Sequence, residues 1–225
     1  MYDITETILA YYDDCKGNET RYKSWEHCYK HFRLFLENKN NPEYLDLAAL
    51  HLGFYLASWG MYRGSSFLIR YDYKIHSAVI RLLAEERFTK LWEQEFGVCS
   101  DNSDLTELLL TVVDEIKAAY PTQPTYTLVT KIILGTLGSL PACDTYFLNG
   151  LKECKIPFSD VNRPFLKRLL EFSHGNQGVL EDVQRKIFER QAQELKIQYP
   201  IMKLVDMYFW TIGEKCQEGN SERST

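Results

Sequence analysis

Apolar positions recur at helical spacing through nearly the whole chain. Ile4, Ile8, Leu9, Tyr11 and Tyr12 form one stripe over residues 4–15, and a turn follows at Lys16 to Thr20. Trp25, Cys28, Tyr29, Phe32, Phe35 and Leu36 form a second, opened by Ser24 and closed by the Asn-rich stretch ending at Pro42. Tyr44 to Trp59 differs in being apolar on nearly every face, the signature of a helix buried all round. Its 16 residues are fewer than a membrane span needs, and Asp46 and His51 interrupt it. Gly53 lowers helix propensity by about 1 kcal/mol against alanine, so a close neighbour is expected there.

Downstream, the periodicity predicts one long helix from Phe67 to Phe96, a loop over Gly97 to Ser103, and a helix from Asp104 to Tyr120. Pro121 and Pro124 bound a connector, a weak candidate for a subdomain boundary at 120–125. Helices follow at Tyr126–Leu137, Asp144–Cys154, Val161–Phe172 (capped by Ser159), Val179–Gln198 and Ile201–Ile212, with Ser173–Gly178 as a loop. No repeat or strand-like alternation of useful length occurs. The expected fold is all-α: a single compact domain over residues 1–215, with nine to eleven helices around a buried central helix. Residues 216–225 form a polar tail expected to be disordered.

Composition sharpens this picture. A net charge of −5 argues against a global field for nucleic acid or anionic lipid, yet residues 61–81 carry Arg63, Arg70, Lys74 and Arg81 against Asp72, a local +3. The six cysteines are scattered without a C-x-x-C pair, and the first residues do not read as a signal peptide. The expectation is therefore a soluble, cytoplasmic protein with reduced thiols and no membrane partner.

Several clusters are candidates for chemistry. Gly60 and Gly64 bracket Met61–Arg63, and Ser65 and Ser66 lead into the next helix; free amides there beside Arg63 make an anion site, with Arg70 and Lys74 as further contacts. The bland alternative pairs Arg63 with a carboxylate and leaves the serines as caps. His51 and His76 lie on successive helices and are expected to meet across the turn, as core histidines or as an acid–base pair. His27 and His31, four apart on one helix, have metal-ligand spacing but no third ligand nearby in sequence, so neither a metal nor another cofactor is assigned.

The segment from Leu128 to Phe147 places Lys131 on a helix, then a Leu140–Pro141 corner, then Asp144 opening a second helix. This arrangement resembles the helix–hairpin–helix region of the DNA glycosylase superfamily, 8-oxoguanine glycosylase-like proteins included. The resemblance implies that Lys131 attacks the sugar carbon as the base leaves. It implies that Asp144 stabilises the developing cation or relays protons, and that the base is flipped into a pocket. It covers about 25 residues. Two departures stand out: Ala142 follows Leu140–Pro141 where the family has a glycine-rich hairpin, and the Lys–Asp separation of 13 residues is shorter than the family's. The whole chain, and Ala57–Ser66 in particular, also resembles an all-helical family of bacterial proteins of unassigned function. Two functions follow from the sequence. One, ranked first, is a helical binding or interaction protein with an anion site at Arg63–Ser66 and a dimer face on its aromatic-rich C-terminal helix. The other is a glycosylase-like enzyme acting on nucleic acid.

Overall fold

The computed structural model describes residues 2–14, 20–98, 102–191 and 196–222. Within them the fold is all-α, with eleven α-helices, three short 3-10 turns and no strand. The helices are α1 (Ile4–Asp14), α2 (Lys23–Glu37), α3 (Pro42–Ser58), α4 (Ser77–Leu83), α5 (Thr89–Glu93), α6 (Ser103–Ala119), α7 (Tyr126–Thr136), α8 (Thr145–Glu153), α9 (Arg163–Gly175), α10 (Gln177–Arg190) and α11 (Ile201–Glu222). No helix among the described residues is long and apolar enough to cross a membrane.

Local chemistry explains most of the boundaries. Asn41 accepts from the Glu43 amide and Pro42 takes the first turn of α3, where its missing N–H costs nothing. Thr125 caps α7, Asp144 caps α8 and Asn162 caps α9, each through a side-chain oxygen. Asn162, and not the expected Ser159, starts α9. The expected loop at Ser173–Gly178 narrows to a break at Asn176. Helix α11 runs on to Glu222, through most of the tail expected to be disordered; residues 223–225 lie outside the described set, as do 15–19 in the turn expected at Lys16–Thr20.

The long helix expected over Phe67–Phe96 is instead five short pieces. 3-10 turns at Phe67–Arg70 and Tyr73–His76 precede α4, and a third at Glu86–Phe88 precedes α5. Ser66 and Asp72 each accept an amide two residues on (3.3 and 2.9 Å), which caps the first two turns where a helix would need to continue. The break seats Tyr73 against α3: a Cβ on Gly53 would sit 3.0 Å from that of Tyr73, so the close approach expected at Gly53 is made by a 3-10 turn.

Burial also differs from the expectation for α3. It buries Leu45, Ala48, Leu52, Tyr55 and Leu56 but leaves Leu47, Leu50 and Phe54 exposed, so its all-round apolar pattern covers a one-sided helix. The deepest elements are α7, buried from Leu128 to Thr136, and α11, buried from Ile201 to Gly213. Helix α8 lies along α11 because both supply glycines at the crossing. A Cβ on Gly150 would come within 1.8 Å of the Phe209 carbonyl, and one on Gly213 within 1.8 Å of the Tyr146 carbonyl. Trp210 is buried here against Tyr11, Trp59 and Tyr146, so the helix proposed as a dimer face is core over this stretch.

Candidate functional site

Three elements bring the candidate lysine, aspartate and arginine to one cleft. The first is the end of α3. Met61 N–H reaches back to the Leu56 carbonyl (2.8 Å) with Gly60 at φ +74°, a glycine-terminated helix end. This turn throws Trp59 and Arg63 to the same side. The second is α7, which carries Lys131 on its middle turn. The third is the start of α8, with Asp144 and Tyr146. Arg21 and Trp210 complete a cleft of about 370 Å³.

Lys131 is only 3% exposed and donates to Asp144 Oδ2 at 2.8 Å, while its ammonium lies 5.0 Å from the Trp59 ring centroid. Asp144 uses its other oxygen, Oδ1, to accept the Phe147 amide (3.1 Å), which fixes its rotamer. One carboxylate therefore serves as helix cap and as counter-ion. A buried ion pair is a poor device for stability, because desolvation offsets the Coulomb gain. Placed in an open cleft, it is a candidate reactive pair.

The surrounding charges are unbalanced. Arg63 pairs with no carboxylate among the described residues, so the bland pairing expected for it is absent. Arg21 rests over the Tyr22 and Trp59 rings (5.5 and 5.2 Å) without an ion-pair partner among the described residues. Two guanidinium groups are thus free beside a neutralised Lys131–Asp144 pair. The indole N–H groups of Trp59 and Trp210, both in the cleft wall, have no acceptor among the described residues.

The corner before Asp144 works unlike the glycine hairpin of the glycosylase resemblance. The Ala142 amide donates to Asp206 Oδ1 and the Cys143 amide to Thr130 Oγ1, both at 2.9 Å. Asp206 is itself paired with Lys203 at 2.9 Å in the core. These amides face inward, so the corner does not offer them to a phosphate; it holds Asp144 in place.

The remaining candidates fall elsewhere. Ser66 lines a neighbouring recess with Ser65, but its hydroxyl is occupied capping Leu68. Arg70 and Lys74 are exposed outside the cleft, and Lys74 lies 3.9 Å from Asp46. His76 does not join the site. It is fully buried, with Tyr62 and Tyr120 hydroxyls 2.7 Å from its two ring nitrogens, and burial pulls it down to about 4. His51 does not meet it, but stacks on His31 at 3.6 Å between α2 and α3, and burial together with that neighbour lowers it to about 4. Parallel rings direct their nitrogen lone pairs alongside one another rather than at a shared point. Among the described residues no group of three or more His, Cys, Asp or Glu side chains could hold a metal ion.

Sequence reasoning missed Arg21 and the wall residues Tyr146 and Trp210. Arg21 sits beside an undistinguished turn and carries no motif. Trp210 belongs to a stretch whose aromatic density reads equally as core or interface.

No protein-family model, curated protein or solved structure matches the chain.

Proposed function

We propose that the cleft excises a base from nucleic acid, with Lys131 as the attacking amine. The observation that carries this reading is a nearly fully buried Lys131, paired at 2.8 Å with a half-buried Asp144, inside an aromatic-walled cleft flanked by two arginines without an ion-pair partner among the described residues. Trp59 and Tyr146, both half-buried, supply flat apolar surfaces for a flipped base, whose π-face stacks on aromatic rings, and the buried Trp210 packs against both. Arg21 and Arg63 supply the charge that a phosphate on either side would meet.

The chemistry follows from the pair. Lys131 enters protonated and passes a proton to Asp144 Oδ2 along their hydrogen bond, which frees the Nζ lone pair. Nζ then forms a bond to sugar C1′ as the C1′–N glycosidic bond breaks and its electron pair leaves with the base. Asp144 returns its proton to the departing base, takes the second Nζ proton and hands it to O4′ as the C1′–O4′ bond opens, which leaves a protonated imine between C1′ and Nζ and a carboxylate on Asp144. Water hydrolyses the imine and releases Lys131. Before that step, borohydride reduces the imine to a stable amine. Incubation with a panel of damaged-base duplexes in borohydride is expected to give a covalent protein–DNA adduct that Lys131→Met abolishes. Absence of an adduct across the panel refutes the lysine-nucleophile chemistry.

A second reading is a non-catalytic anion-binding protein. It is favoured by the free Arg63 guanidinium and by the cap to Phe147, which by itself accounts for Asp144. It predicts phosphate-dependent binding lost in Arg63→Ala, unchanged in Lys131→Met, and no adduct.

A further inference from the structure

Arg63 stands between two recesses. On one side lies the cleft over Lys131. On the other is a second lobe of about 340 Å³ lined by Ser65, Phe67, Thr122, Gln123 and Thr125 among others. The two lobes share Gly60, Met61 and Arg63 as a common wall. Each is at the small end of ligand pockets, about 300–1,000 Å³, and suits a single nucleoside-sized group.

The linings differ in a telling way. The first lobe holds the ion pair and three large aromatic rings. The second has one half-buried ring, Phe67, and a rim of exposed hydroxyl and amide groups. Ser65, Thr122 and Gln123 have no side-chain partner among the described residues, whereas Ser66 and Thr125 are occupied as caps. A carboxamide both donates and accepts, and so can read a base edge. A dinucleotide step has one phosphate between two base-bearing sugars. The groove has one unpaired guanidinium between two recesses.

We infer that the second lobe seats the nucleotide adjacent to the one held over Lys131, so that the substrate is a polynucleotide strand and not a free nucleoside or nucleotide. This rests on the reading of the first lobe as a nucleotide site. In it Arg63 takes the linking phosphate, Phe67 stacks the neighbouring base, and Gln123 and Ser65 contact its edge or sugar. The strand must be single or locally unpaired there, because a base inside a duplex cannot enter a recess.

The test uses the full chain and two probes, thymidine 5′-monophosphate and 5′-phosphorylated dithymidylate, with quenching of Trp59 and Trp210 fluorescence as the readout. The dinucleotide is expected to bind about tenfold more tightly, the factor a stacked second base contributes. Phe67→Leu/Gln123→Ala, a double variant that removes the stacking ring and the exposed carboxamide, should bring dithymidylate to within about threefold of the mononucleotide. Arg63→Ala should weaken both probes. Equal affinity for the two probes, equal losses in the double variant, or no binding of either overturns the inference. Borohydride trapping separates this outcome from the first lobe's chemistry. An adduct without the dinucleotide increment sinks the second lobe alone, and an increment without an adduct sinks the lysine chemistry alone.

Discussion

Replacing Lys131 and Asp144 separately and together distinguishes a pair kept for chemistry from a pair kept for stability. Asp144→Asn retains an oxygen for the Phe147 amide, so the cap survives, but it leaves an ammonium that is 3% exposed without its counter-charge. Breaking a buried pair in this way costs about 3–5 kcal/mol, and the opening of the cleft beside Asp144, which is 16% exposed, favours the lower figure, about 3. Lys131→Met leaves a carboxylate that still has an amide donor and some solvent, so about 1–2 kcal/mol is expected. The double variant Lys131→Met/Asp144→Asn has no charge to strand and keeps the cap. It should lie within about 1 kcal/mol of the parent, because apolar replacement of a buried pair is often neutral. The cycle therefore predicts a coupling of at least about 2 kcal/mol between residues in direct contact. Urea unfolding followed by far-ultraviolet circular dichroism measures it without relying on Trp59, whose ring the lysine touches. A double variant destabilised by the sum of the singles would mean zero coupling, so that each side chain stabilises the fold independently, and would refute the reasoning that either single change strands its partner's charge.

Two further outcomes follow from the core. His76 is neutral and doubly hydrogen-bonded, with its ring drawn from the ordinary 6.5 to about 4, so the unfolded chain binds the extra proton first as pH falls. Stability from this group is full above about 6.5 and declines by about 3 kcal/mol as pH drops to about 4; urea midpoints across that window should show the slope, and His76→Gln should reduce it to the share left by His51, which is also lowered to about 4. Gly150→Ala forces a methyl to 1.8 Å from the Phe209 carbonyl, so α8 and α11 must separate; a loss of about 3 kcal/mol or more in thermal unfolding is expected, and a neutral result would contradict the close crossing.

Much of the fold was readable because helix signals are local. Asn41–Pro42, Thr125 and Asp144 mark their helix starts by side-chain chemistry that operates within three residues. Phe67–Phe96 misled because its apolar spacing suits a helix, while Ser66 and Asp72, also local signals, offer the backbone competing bonds. What decides the contest is the seat of Tyr73 on Gly53, a tertiary contact. The same limit applies to burial. Leu47, Leu50 and Phe54 are as apolar as the buried face of α3, and nothing in their neighbours indicates which side the core takes.

The site was legible as residue types and not as a place. Lysines are seldom buried, so the 3% exposure of Lys131 is a property of the packed α3, α7 and α8 and not of its sequence neighbourhood. His51 and His76 drew attention by their titration range and by an expected meeting across the turn, and packing put them in separate places: His51 on His31, and His76 between Tyr62 and Tyr120. Arg21 joins the cleft from outside any motif, brought there by the start of α2.

The most direct test of Lys131 as the nucleophile is to locate the trapped adduct. After borohydride reduction on a damaged-base duplex, protease digestion and mass spectrometry should place the sugar remnant on the peptide containing Lys131, and Asp144→Asn should slow its formation by about 10²-fold or more. A remnant on another amine, or none on any duplex of the panel, would contradict the assignment of Lys131.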